Sequence, residues 1–246
     1  MPDRVPLGDG PGRRGDGVRE LPLGGVAPDF RPQAQLSDRV AAYVRELIMS
    51  GQLRQGEFIR LEKLAAEIGV SATPVREALL ALRGEGFVQL VPRRGFVVAP
   101  LSRQDVEDLY FVQAQLAGRL AARTAVKMTS DDLAAIEKIQ AELEEAADTG
   151  EVEDLEKINF QFHRRINLLA DSPKLAWFLG QAARYAPRQF YGSIHGWRQA
   201  SLHDHRAIVE ALRARSARGA EATMQAHITH AGALLVQHLE QGHLWE

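Results

Sequence analysis

Hydrophobic residues recur with two different periods along this 246-residue chain, and the change of period divides it. Residues 1–30, "MPDRVPLGDGPGRRGDGVRELPLGGVAPDF", show no period at all and are rich in Gly, Pro, Arg and Asp. Such a stretch buries too little apolar surface to offset the entropy of ordering, so a disordered tail is expected. From Leu36 onward Val40, Tyr43, Val44, Leu47 and Ile48 share one helical face, with Ser37 as N-cap and Gly51 as the stop. A short second helix is predicted from Leu61 to Ile68, ending at Gly69, and only "GVSAT" separates it from a third that reaches about Glu85. Two helices joined by so short a turn cross steeply, which is a helix-turn-helix. The β-rich runs Phe87 to Val91 and Phe96 to Val98 then flank the turn residues Pro92 to Gly95, a hairpin with two arginines at its tip. Beyond Ser102 the helical period returns, broken near Thr129, Gly150, Ser172, Pro187, Gly192 to Gly196 and Gly219. The expected fold is mainly α: a winged helix-turn-helix over 31–100, then an all-α antiparallel bundle of about six or seven helices over 101–246.

Composition narrows the chemistry. The chain has no cysteine, which excludes disulfides, thiolate nucleophiles and Cys-ligated zinc and fits a reducing compartment. No run approaches the roughly 18 apolar residues that span a bilayer, and the N-terminus lacks a signal-peptide core, so a cytoplasmic protein with no membrane partner is expected. The overall charge of −2 hides an asymmetry: residues 31–100 carry +3 and residues 101–246 carry −4. A basic head on an acidic body suits contact with a polyanion.

The stretch "SATPVREALL" over residues 71–80 carries the sharpest signal in the head. Pro74 lies in a first turn, where its missing N–H costs nothing and its fixed φ stiffens the helix, while Ser71 or Thr73 can cap that end. Thr73, Arg76 and, a turn later, Leu80 face outward, whereas Val75 turns back onto Leu64 and Ile68. Arg76 can read a guanine edge with two hydrogen bonds or grip phosphate, and Ser71 and Thr73 suit phosphate positioning. At the hairpin tip Arg93 and Arg94, turned by Gly95, can enter a minor groove or clasp phosphate. The same residues taken singly also fit a solvated helix face.

The segment "LEKLAAEIGVSATPVREALLALRGEGFVQLVPRRGFVV" resembles the winged helix of GntR-family bacterial transcriptional regulators, and the likeness to the FadR subfamily, with its helical FCD-type ligand-binding domain, continues through Gln237. The resemblance implies double-stranded operator DNA, a homodimer and a small-molecule effector as partners. Family members have arginine between the serine and threonine of this turn where this chain has Ala72. One DNA contact of the family is therefore expected to be missing.

Histidines mark the body. Asn159 and His163 stand four apart on one helix face, and His205 and His227 lie on two later amphipathic helices. Each histidine alone fits simple packing on an apolar face; together, three imidazoles and an amide oxygen on three helices make a bundle-core metal site. The family resemblance implies the second reading, with Asn159, His163, His205 and His227 holding a divalent ion such as zinc or nickel. Asn159 stands where many relatives carry aspartate. Gln113 lies on the apolar stripe of Val106, Leu109, Tyr110, Leu116 and Leu120, so a polar group points inward. Relatives have arginine at that position and glutamate four residues on, where this chain has Gln113 and Ala117. Gln113, with Arg184 and Arg188, is the candidate set for an organic-acid effector, although Arg184 and Arg188, four apart, also fit an exposed basic helix face. The leading reading is a ligand-responsive regulator and not an enzyme; a helical metalloenzyme with a DNA-binding head, and a ligand-free architectural DNA-binding protein, are the alternatives.

Overall fold

In the computed structural model, residues 31–149, 152–185 and 194–242 are described. The predicted tail over 1–30 and the candidate Arg188 lie outside them. Helix α1 (Arg31–Met49) starts ahead of the expected Leu36, which places Ser37 inside the helix and not at its N-cap. The sequence ahead of Leu36 carries Pro32 in the first turn and no run of large apolar residues, so hydrophobic period alone misses the start.

Helices α2 (Leu61–Glu67) and α3 (Ala72–Glu85) form the steep pair, with Gly69 at φ +69° in the turn. Helix α3 buries Val75, Ala78, Leu79 and Leu82, one stripe at helical spacing, in the same core as Val40, Val44 and Ile48 of α1. Full burial of each large member stabilises by about 1.5–3 kcal/mol. Strands β2 (Val88–Val91) and β3 (Gly95–Val98) form the predicted hairpin. A third strand, β1 (Phe58–Ile59), pairs with β3 through Phe58–Val97 and Ile59–Phe96, giving sheet order β1-β3-β2. Two residues are too short a run to show alternation, so the sequence pattern passed over it.

The body comprises α4 (Arg103–Lys127), α5 (Ser130–Thr149), α6 (Val152–Leu169), α7 (Pro173–Ala182), a 3-10 turn (Ala183–Tyr185), α8 (Trp197–Arg213) and α9 (Ala217–Gln241). Helix α4 opens on a capping box in which the Ser102 hydroxyl and the Asp105 carboxylate satisfy each other's backbone N–H groups. Helices α4 and α9 run antiparallel: Arg103 meets Glu240 at one end and Gln115 meets Gln225 further along. Each presents a glycine to the other. A Cβ at Gly118 would stand 2.6 Å from the Gln225 side chain, and one at Gly232 2.6 Å from the Tyr110 ring. The missing side chains are what allow two 25-residue helices to lie this close.

Two cores result. One fills the bundle around Leu120, Ile136, Phe162, Ile166, Ile208 and Leu212. The other is shared, running from Val44, Leu79 and Phe87 of the head to Val106, Tyr110, Trp197 and Leu235 of the body. At the joint, Glu85 at the end of α3 accepts from Arg45 Nε at 2.9 Å and from Arg184 of the 3-10 turn. The Tyr185 hydroxyl donates to the Glu85 carbonyl, and its ring stacks on Phe87 with centroids 4.1 Å apart. Gly86, at φ +89°, leaves room for that hydroxyl.

Candidate DNA-reading surface and metal centre

The exposed end of α3 is built by its first turn. Ser71 occupies the N-cap with extended backbone but makes no side-chain cap hydrogen bond, contrary to the capping role expected of it. The helix starts at Ala72, so Pro74 still falls among the N–H groups that lack an intrahelical acceptor. Pro74 is buried and braces the turn, while Ser71, Thr73 and Arg76 are exposed.

In the wing, Arg94 N–H donates to Val91 O at 3.0 Å, closing a turn with Pro92 second and Arg93 third. Arg93 sits at φ +62° and Gly95 at φ +98°. Proline followed by a positive φ is the type II pattern, in which glycine is the usual third residue. Holding an L-residue there costs roughly 1–2 kcal/mol, so the wing keeps an arginine at its apex against local preference. The Arg94 guanidinium lies 4.6 Å above the Phe58 ring, so the unpredicted strand β1 orients a wing cation.

In the body, His163 (α6), His205 (α8) and His227 (α9) converge, with one ligand nitrogen of each within 4.8 Å of the others. His163 Nε2 and His227 Nε2 are 3.2 Å apart. Two nitrogens bound to one tetrahedral zinc at about 2.0–2.1 Å stand about 3.3 Å apart, so this spacing fits a shared ion. His205 Nε2 is buried with no hydrogen-bond partner, a costly state that a metal would relieve. Burial, reinforced by the neighbouring His227, holds the His163 pKa down at about 3; burial, then His227 and His163, push His205 well below the usual imidazole range. Both rings are thus neutral, the form that ligates metals.

Asn159 is one turn before His163 and half-buried, its Oδ1 accepting from Ser201 Oγ at 3.4 Å. Two residues that sequence reasoning left out flank the cluster. Gln140 Oε1 lies 3.2 Å from His205 Nδ1, and Asp204 Oδ2 lies 3.5 Å from His227 Nδ1 and 3.0 Å from His230 Nδ1. Partial burial opposes ionisation of Asp204, but its bonds to the two imidazoles prevail and its pKa is lowered. Asp204 is adjacent in sequence to a candidate ligand, a signal that could have found it. Gln140 carried none, because it sits on a different helix far along the chain.

Gln113 is buried as expected and its Nε2 has no partner among the described residues. Arg184 meets Glu85 at the joint between head and body.

Residues 36–98 match the family "Bacterial regulatory proteins, gntR family", and residues 108–230 match the FCD domain. The chain is 26% identical over 204 residues to the HTH-type transcriptional regulator YdhC of Bacillus subtilis, covering 81% of this chain and 90% of the relative. It is 26% identical over 176 residues to the HTH-type transcriptional regulator McbR of Escherichia coli, covering 69% and 78%. The solved structure of E. coli McbR/YncC superposes with a TM-score of 0.65 at 22% identity, over 82% of this chain and 98% of that one, which shows the shared fold. A winged helix with exposed arginines joined to an FCD-type helical bundle is the architecture of a DNA-binding transcriptional regulator. The chain belongs to the GntR family of bacterial regulatory proteins, in the group that carries an FCD domain. Among the described residues, no helix is long and apolar enough to cross a membrane.

Proposed function

We propose that the protein is a cytoplasmic, homodimeric repressor that reads a palindromic operator and responds to an organic-acid effector through a bundle that holds a divalent metal. Zinc or nickel suits a site of neutral imidazoles. His163, His205 and His227 would hold the ion, with the Asn159 amide oxygen as the neighbouring oxygen donor. A bound ion would supply positive charge for an anionic effector in the bundle. The unpartnered Gln113 amide is a donor in the same interior. Thr73 and Arg76 would enter the major groove while Ser71, Arg93 and Arg94 meet phosphate or the minor groove.

The observation that carries the reading is the buried His205 Nε2, left bare beside two further imidazoles in the body of a chain whose head exposes Arg76, Arg93 and Arg94. Genomic fragments retained by the purified protein should share an inverted repeat with half-site centres about 10 bp apart or a multiple of that, bound by two copies of the chain. A chelator should lower the unfolding temperature and lower or raise operator affinity, with added zinc restoring both. Retained fragments without a common motif, or metal-free protein of unchanged stability and no metal uptake, would overturn the operator and metal parts respectively.

A further inference from the structure

Resting on the metal reading above, we infer that Gln140 and Asp204 are positioning residues that turn the Nε2 atoms of His205 and His227 toward the centre of the site. The argument is one of hydrogen-bond polarity. Arg206 Nε donates to Glu144 Oε1 at 2.7 Å, and Gln140 Nε2 is 2.9 Å from the same oxygen. A carboxylate only accepts, so the amide nitrogen of Gln140 must be the atom that faces it. The amide oxygen is thereby left facing His205 Nδ1 at 3.2 Å. An oxygen there requires an N–H opposite, which puts the single proton of a neutral imidazole on Nδ1 and leaves Nε2 with a free lone pair. That is the same Nε2 that is buried without a partner.

The second ligand is set in the same sense by a charge. Asp204 Oδ2 faces the buried His227 Nδ1 at 3.5 Å, beyond a closed hydrogen bond, and that nitrogen has no nearer partner among the described residues. A carboxylate favours the Nδ1–H form of His227, with its Nε2 directed at His163. The two outer partners differ in kind: Gln140 is neutral and Asp204 is anionic. With Asn159 neutral among the candidate ligands, Asp204 would contribute negative charge to a bound ion through the His227 ring. Each outer partner of this type is worth about 10–100-fold in metal affinity.

Two measurements test this on the full-length chain. Long-range proton–nitrogen correlation spectra of the metal-free protein report each histidine tautomer without any metal bound. His205 and His227 should both be Nδ1–H, and an Nε2–H form at His205 would overturn the inference whatever the protein binds. Zinc affinity by competition with a chromogenic chelator should then fall about 10–100-fold in Gln140→Leu and Asp204→Asn. Asp204→Glu should recover part of the loss, and Asp148→Asn, on the exposed face of α5, should change nothing. Unchanged zinc affinity in both variants would also overturn it. Correct tautomers in a protein that takes up no zinc would support the polarity chain and sink the metal reading, so the two failures are distinguishable.

Discussion

Arg93 holds a backbone conformation against its own preference, and in the function proposed here it is one of the residues that meet DNA. Its left-handed backbone costs roughly 1–2 kcal/mol, whereas glycine, free of that penalty, loses about 0.5–1 kcal/mol more backbone entropy on folding. Arg93→Gly should therefore leave thermal stability within about 1 kcal/mol of the parent, while the salt dependence of DNA binding becomes shallower by about one unit of log–log slope. Chemical denaturation and anisotropy titrations at several salt concentrations check the two halves separately. Arg76→Ala belongs to a different kind of contact. It should lose about 1–3 kcal/mol of discrimination between operator and scrambled duplex at fixed salt, and an unchanged ratio would remove Arg76 from base reading. Arg76, Arg93 and Arg94 were legible in the sequence because their neighbours Pro74, Gly69 and Gly95 punctuate the chain. The stacking of Arg94 on Phe58 was not, since it depends on a strand of two residues paired across the sheet.

At the scale of elements, the reciprocal glycines of α4 and α9 set how near these helices come. Gly232→Ala would place a methyl group 2.6–2.7 Å from three atoms of the Tyr110 side chain, which is itself 4% exposed and has little room to retreat. Overpacking of this kind costs about 1–3 kcal/mol. The unfolding temperature should drop, while Gly180→Ala on α7, where the added carbon meets nothing within 4 Å, should be neutral or slightly stabilising. The helices themselves were readable from period and from punctuation: Gly69 follows α2 and α3 reaches Glu85 as the pattern predicts, and α4 starts just beyond Ser102. Ahead of Leu36 the start of α1 carries no large apolar residue in its sequence, so hydrophobic period had nothing to register. Pairings between distant elements, such as Gln140 of α5 with His205 of α8, depend on the way the bundle closes and leave no trace in local spacing.

For the molecule as a whole, the neutral pair His163 and His205 ties stability to pH. His163 and His205 have folded pKa values lowered below the unfolded value near 6.5, so in acid the unfolded chain takes up protons that the folded chain refuses. Their contribution is fully present above about pH 6.5 and is lost as pH falls, down to about 3 for His163, at up to about 1.4 kcal/mol per pH unit for each ring. Metal-free protein should thus melt at falling temperatures between pH 7 and pH 5, and His163→Gln should flatten that slope; a parent with no slope would contradict the neutral cluster. The convergence of His163, His205 and His227 was implied by the family resemblance, since spacing on three separate helices fits simple packing as well, whereas their outer partners needed the fold. The shared core of head and body carries a different consequence, for anyone who would cut or recombine this chain. Phe87 is covered by Tyr185, and Val44 and Leu79 belong to the same apolar cluster as Trp197 and Leu235. A fragment ended near residue 100 would present that surface to water, and a graft onto a foreign body would need a matching aromatic to receive it. The reader of DNA is not a detachable cartridge here but one end of a single folding unit.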